Sequence, residues 1–221
     1  MSLAHSKAWN KANRPFDPPL EFKPNFRPEL ATIKPYKGHR RSEKPIMFDA
    51  LRAYMVANYD CVIANGMEAD DAICIELAKG GETIACTRDK DLRMVNGEHF
   101  GWETTRQPQF GPKEVSYLGE VDYVKKECVG EGIKFFYAQL IMGDSVDNIQ
   151  GIPRKGAKAA YDTIVDAETE EECFKRVREL YEAYYGEDWR EPMLENGRLL
   201  WMIRELNEDG SPKMWEIPEY D

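Results

Sequence analysis

The order of apolar and polar positions divides the chain into helices and short strands. Met47, Leu51, Tyr54 and Met55 recur at helical spacing behind Pro45, predicting an amphipathic helix over 45–58. The short apolar run 59–64 predicts a strand. Residues 68–79 follow as a helix stopped by Gly80-Gly81, and 82–87 as a second, buried strand. Strand, helix, strand in that order predicts a βαβ unit and so a parallel sheet, with functional groups gathered beyond the C-terminal strand ends. Gly, Pro and aromatic punctuation over 93–120 reads as short strands and turns. A buried helix over 135–142, helices over 168–185 and around 196–204, and an extended tail over 213–218 complete the pattern. Ahead of all this, Pro15, Pro18, Pro19, Pro24 and Pro28 predict an extended lead-in with a short helix at its start. Three regions result: a lead-in (1–30), an α/β core (31–130) and a helical region (131–221).

Composition narrows the class. A chain of 221 residues with 42% hydrophobic content can bury one substantial core. No apolar run reaches the length of a membrane span and the first residues lack a signal-peptide core, so the expected location is the cytoplasm, without membrane contact. The five cysteines are scattered, which argues against a disulfide framework or a CxxC zinc site and predicts small buried residues. A net charge of −10 argues against a protein that coats nucleic acid non-specifically by bulk electrostatics. It leaves room for a nuclease, because a metal centre concentrates acid while phosphate contacts need only a local basic patch such as 34–44.

Candidate chemistry lies in three acidic groups: Glu68, Asp70 and Asp71; Asp89 and Asp91; Asp144 and Asp147. Any one alone can be a helix cap. Together at the element ends of one sheet they would repel strongly unless cations sat between them. Hard oxygen donors without nearby His or Cys favour Mg²⁺ or Mn²⁺ over zinc. Asp144 and Asp147, three apart, are expected to face the same way on one helical turn. Directly after them the turn Gly151-Ile-Pro-Arg-Lys-Gly156 opens a helix whose free N–H groups suit a phosphate.

In this order, Glu68-Ala-Asp-Asp71, Thr87-Arg-Asp-Lys-Asp-Leu92 and Gly143-Asp-Ser-Val-Asp-Asn-Ile-Gln-Gly-Ile152 resemble the metal motifs of the flap-endonuclease and 5′-exonuclease superfamily. Phe26-Arg-Pro-Glu-Leu30 and Tyr36-Lys-Gly-His-Arg40 look like its arginine and Tyr-Lys-x-x-Arg motifs, and 151–160 is similar to its helix–three-turn–helix DNA element. Leu200-Trp-Met-Ile-Arg204 and Met214-Trp-Glu-Ile-Pro218 are similar to the short exonucleases of T-odd phages. The resemblance implies a PIN-like parallel-sheet 5′-nuclease core followed by that DNA element. It implies two Mg²⁺ (or Mn²⁺) ions, with Glu68 and Asp70 between the two positions, Asp89 and Asp91 on the second, and Asp71, Asp144 and Asp147 as further or water-mediated ligands. It also implies Lys37 and Arg40 on the scissile phosphate from one helix face, and Tyr36 stacked on the terminal base. Gly151, Ile152, Arg154, Lys155, Gly156 and Lys158 would hold duplex phosphates, around a K⁺ ion.

The sequence departs from the superfamily at its start: no β-branched run ending in Asp stands upstream of Phe26, and Asp17 is a weak substitute. The expectation is therefore a core short of two strands and two ligands, through a split gene, a shifted start or a truncation, the first of which would make a separately encoded N-terminal piece a partner. Three functions stand: a Mg²⁺-dependent exonuclease acting at the 5′ end or flap of duplex DNA in phage replication or recombination; a DNA-binding fragment that does not cut alone; and a PIN-like ribonuclease.

Overall fold

The computed structural model describes residues 23–40, 43 and 45–220. The expected helix at the start of the lead-in, and Asp17, lie outside these. Within them the chain builds α1 (Arg27–Leu30), α2 (Phe48–Asn58), α3 (Ala69–Ala78), β1 (Ile84–Cys86), a 3-10 turn (Asp91–Met94), β2 (Gly97–Gly101) and β3 (Phe110–Val115). Then come β4 (Glu120–Val124), β5 (Glu127–Glu131), α4 (Gly132–Met142), α5 (Ala157–Ile164), α6 (Glu170–Tyr185), a second 3-10 turn (Gly186–Trp189) and α7 (Arg190–Leu200).

The molecule is assembled around α4. Every residue from Gly132 to Ile141 is buried, so this helix is covered on all sides rather than along one stripe. Phe135, Phe136, Leu140 and Ile141 meet Ile164 of α5, Phe174, Val177 and Tyr181 of α6, Met193 and Leu200 of α7, and Trp215 of the extended tail in one continuous core. Lys134 is buried within it and donates from Nζ to the carbonyl of Val165 at 3.0 Å, where a cation complements the C-terminal end of α5. The start of α6 is fixed by Thr169, whose Oγ1 accepts from the amide of Glu172 at 3.1 Å, with Glu170, Glu171 and Glu172 in the first turn.

The sheet differs from the expected βαβ core. Its order is β1-β2-β3, with β1 and β2 parallel and β2 and β3 antiparallel, and β4 and β5 form a separate antiparallel hairpin. Residues 59–64 do not form a strand: among the described residues nothing pairs with them, and Val62 is 91% exposed. The run 82–87 yields a three-residue strand of which only Ala85 is buried, so it is an edge rather than a central strand. Ala85 joins Cys74 and Leu77 of α3 and Leu92 and Val95 in a second, smaller cluster. The helix over 45–58 begins at Phe48, with Pro45 before it accepting from the Phe48 amide, and its apolar positions Leu51, Tyr54 and Met55 are exposed. The last helix ends at Leu200 instead of running to Arg204, because the carbonyls of Leu199 and Trp201 turn to the Arg27 guanidinium. Of the cysteines, Cys74, Cys128 and Cys173 are buried as expected, whereas Cys61 and Cys86 are exposed; all five are free. No helix among the described residues is long and apolar enough to cross a membrane.

Candidate active site

Glu68 caps α3 through a reciprocal pair in which its side chain accepts from the Asp71 amide and its own amide donates to Asp71 Oδ2 at 3.0 Å. That leaves Asp71 pointing inward, completely buried, where Arg27 grips it with two bonds of 2.6 and 2.7 Å. The Ile203 amide adds a fourth bond to Asp71 at 3.1 Å. Arg27 is itself 1% exposed, donates also to the carbonyls of Leu199 and Trp201, and lies 3.6 Å from Glu68. Asp71 is thus a structural anion rather than the expected ligand: its lone pairs are consumed by a buried fork-to-fork pair. The pair ties the lead-in, α3 and the end of α7 together beneath the site.

Asp70, one residue away, points the other way. It lines a cavity of about 510 Å³ together with Glu68, Asp89, Asp91, Asp144 and Asp147, and with the cations Lys37, Arg40, Arg88 and Lys90. All three acidic groups therefore reach one space, from α3, the end of β1 and the loop after α4.

Asp89 and Asp91 are set by a local chain: the Asp89 amide donates to Thr87 Oγ1 and the Asp91 amide to Asp89 Oδ1, both at 3.0 Å. Asp91 Oδ1 also accepts from Gln139 Nε2 at 2.8 Å, so the central helix α4 orients it directly. Gln139 carries no sequence signature; it reads as one more position on a buried helix.

Asp144 and Asp147 do not share a helical turn. The chain leaves α4 at Gly143 (φ +73), makes a tight loop bridged between Asp144 and Ile149, and returns at Gly151 (φ +62). A Cβ on Gly143 would lie 2.3 Å from the Ile149 carbonyl oxygen, and one on Gly151 2.3 Å from the Gly143 nitrogen, so both close approaches require glycine. Asp144 Oδ1 holds the loop by accepting from the amides of Val146 (2.6 Å) and Asp147 (3.3 Å).

The 36–39 segment is likewise a turn and not the expected helix face, with Lys37 at φ +54. It is clamped onto the 144–149 loop: the Lys37 amide donates to the Asp147 carbonyl and Asn148 Nδ2 to the Pro35 carbonyl, each at 2.9 Å. Lys37 Nζ then lies 2.7 Å from Glu68 and 3.5 Å from Asp147, and Arg40 Nη2 2.8 Å from Asp147. The Tyr36 hydroxyl lies 2.8 Å from Asp147 and 3.1 Å from Glu68, and burial beside these carboxylates keeps it protonated. With the residue only 9% exposed, the ring is core and not a platform for base stacking.

The charge balance is uneven. Lys37 and Arg40 neutralise Glu68 and Asp147, but the far side is crowded with acid. Burial, then repulsion from Asp89 and Glu68, raises the Asp70 carboxyl above its ordinary value. Burial raises Asp91 to about 6, against the pull of Lys90 and with Asp89 adding to the push. These oxygens suit a hard divalent cation in donor type and in unmet negative charge. Among the described residues no three such side chains already converge into a metal cage.

Beyond the cavity, α4, the turns over 143–156 and α5 form a helix–turn–helix unit. Gly151 and Ile152 are buried, and the Ile152 amide donates to the Ile141 carbonyl at 2.9 Å, so these two of the expected phosphate binders serve packing instead. Arg154, Lys155, Gly156 and Lys158 are exposed, with Gly156 as the N-cap of α5 and open space around its Cα. The cations Arg88 and Lys90 were missed by motif reading. Arg88 is pinned by the Gln107 side chain and the carbonyls of Trp102 and Pro108, contacts that only the folded sheet creates.

No protein-family model matches the chain. It is 30% identical to DNA polymerase I of Rhizobium leguminosarum over 142 residues, which is 58% of this chain and 13% of that protein. It is 28% identical to DNA polymerase I of Bacillus subtilis (strain 168) over 166 residues, 67% of this chain and 17% of that one. With the Bacillus caldotenax DNA polymerase I it shares 26% over 200 residues, 83% of this chain and 21% of the other. The chain thus spans under a quarter of the length of these relatives. The crystal structure of the T5 D15 protein co-crystallised with metal ions gives a TM-score of 0.42 at 17% identity, covering 81% of this chain and 82% of that one, a score too low to carry an argument. The sequence relatives support the resemblance to the flap-endonuclease and 5′-exonuclease superfamily that the ordered motifs carry.

Proposed function

We propose that the chain is a metal-dependent nuclease that hydrolyses phosphodiester bonds at the 5′ end of duplex DNA. The observation that carries this reading is one shared cavity lined by Glu68, Asp70, Asp89, Asp91, Asp144 and Asp147 together with Lys37 and Arg40. In the proposal Glu68, Asp70, Asp89 and Asp91 are the main ligands of two Mg²⁺ (or Mn²⁺) ions, and Asp144 and Asp147 complete their surroundings. Bound there, the ions would supply positive charge to the phosphate oxygens in the transition state. Lys37 and Arg40 bind the scissile phosphate and its neighbour and stabilise the charge that builds on them. Tyr36 positions Glu68 and Asp147, and Gln139 positions Asp91. The exposed Arg154, Lys155, Gly156 and Lys158 take the duplex backbone away from the cut, since backbone contacts position the substrate without reading its sequence.

A DNA-binding chain that does not cut alone is the second reading. It is favoured by one observation: Lys37 and Arg40 are engaged by Glu68 and Asp147. Duplexes labelled at the 5′ or the 3′ strand end, incubated with Mg²⁺ or with EDTA, separate the two. The nuclease reading expects Mg²⁺-dependent release of the 5′ label first. Duplex binding with both labels intact selects the second reading, and preferential cleavage of single-stranded RNA overturns both.

A further inference from the structure

The β4–β5 hairpin belongs to no motif, and its tip is built from two consecutive lysines. Val124 pairs with Glu127, so Lys125 and Lys126 form a two-residue loop, at φ +51 and +71. Such a loop is best served by Asn and Gly, which enter the left-handed region at least cost. Lysine at both positions forgoes that advantage. Arg154, in the turn before α5, is another basic residue at positive φ, +65.

The hairpin tip comes to the exposed face of α5. The rings of Tyr123 and Tyr161 are 5.9 Å apart, and Lys158 Nζ lies 5.7 Å from one ring centre and 5.6 Å from the other. Lys158 also pairs with Asp162, and Asp122 and Glu127 are exposed acids of the hairpin beside its tip. Lys125, Lys126, Arg154, Lys155 and Lys158 are all exposed in a protein of net charge −10, and the Tyr123–Tyr161 and Lys158 contacts bring the hairpin and α5 together.

We propose that the hairpin tip and α5 together form a second contact for the phosphate backbone of duplex DNA, with Lys125 and Lys126 reaching phosphates beyond those held by the turn before α5. Tyr123 and Tyr161 pack as the apolar strut that holds the hairpin against the helix. The inference rests on the DNA-cleaving reading and extends it: the footprint runs from the cavity past α5 to the hairpin.

The test replaces Lys125→Asn together with Lys126→Gly, a pair that removes two charges and suits the turn better. Anisotropy measures binding of a labelled duplex of about two helical turns, with Mg²⁺ in an Asp89→Asn background, at a series of KCl concentrations. The expected result is an unchanged or higher melting temperature, affinity about ten-fold weaker, and a slope of log affinity against log salt reduced by about 2, because each lost phosphate contact removes roughly 0.9. Unchanged affinity and slope would overturn the proposal while leaving duplex binding intact. Failure of the parent to bind duplex DNA at all would overturn the DNA reading and this inference with it.

Discussion

Adjacent aspartates in one helical turn divide between structure and chemistry. Asp71 is sealed with Arg27, whereas Asp70 opens to the cavity. Removing one partner of a buried ion pair costs roughly 3–5 kcal/mol because the other charge is left uncompensated. Asp71→Asn is therefore expected to lower the melting temperature by about 10 °C, a change that calorimetry reads directly. Asp70→Asn relieves repulsion instead, so its melting temperature in EDTA stays level or rises while cleavage is lost. For Asp91, the carboxyl is expected to titrate near pH 6 in the metal-free chain. It should fall toward the ordinary carboxylate range when Mg²⁺ is added, read by carbon-detected NMR. The acidic positions themselves were legible from the sequence as three clusters. Which of them faces the cavity was not, because Asp70 and Asp71 differ only in the side of α3 they occupy and in a partner, Arg27, that lies 44 residues away along the chain.

The elements nearest the site are mostly turns, and this is where periodicity misleads. Spacing of three suits a helix, but Lys37 and Arg40, and Asp144 and Asp147, converge because two turns are clamped on each other by backbone and side-chain bonds. Buried helices such as α4 were legible because a long, largely apolar run, interrupted between Phe135 and Met142 only by Gln139, exceeds the usual length of a strand. The strand expected at 59–64 was not realised, since a strand depends on a neighbour that its own residues do not encode. Gly151→Ala tests the loop: a Cβ 2.3 Å from the Gly143 nitrogen, at φ +62, should destabilise by more than about 1 kcal/mol, visible in urea unfolding. Gln139→Leu keeps the size of the side chain while removing the bond to Asp91. Loss of such a supporting contact typically costs 10–100-fold in metal affinity or activity. The variant is expected to need about ten-fold more Mg²⁺ for half-maximal cleavage, with its melting temperature little changed.

At the scale of the molecule, the main core around α4 underlies an acidic cavity near the C-terminal end of that helix and, in the proposal, a basic surface along α5 and the hairpin. On the proposed reading, that separation would let a chain of net charge −10 bind a polyanion. It would also explain why overall charge argued against bulk coating of nucleic acid but could not locate the contact. The central claim is that the cavity carboxylates hold the metal that cleavage requires. The measurement that tests it most directly is single-turnover hydrolysis of a 5′-labelled duplex by the unsubstituted chain and by Asp89→Asn, with Mg²⁺ varied and both melting temperatures matched. The account predicts cleavage that rises with Mg²⁺, vanishes in EDTA, and falls by at least about a hundred-fold in Asp89→Asn. Equal cleavage by the two proteins, or cleavage that persists in EDTA, would contradict it.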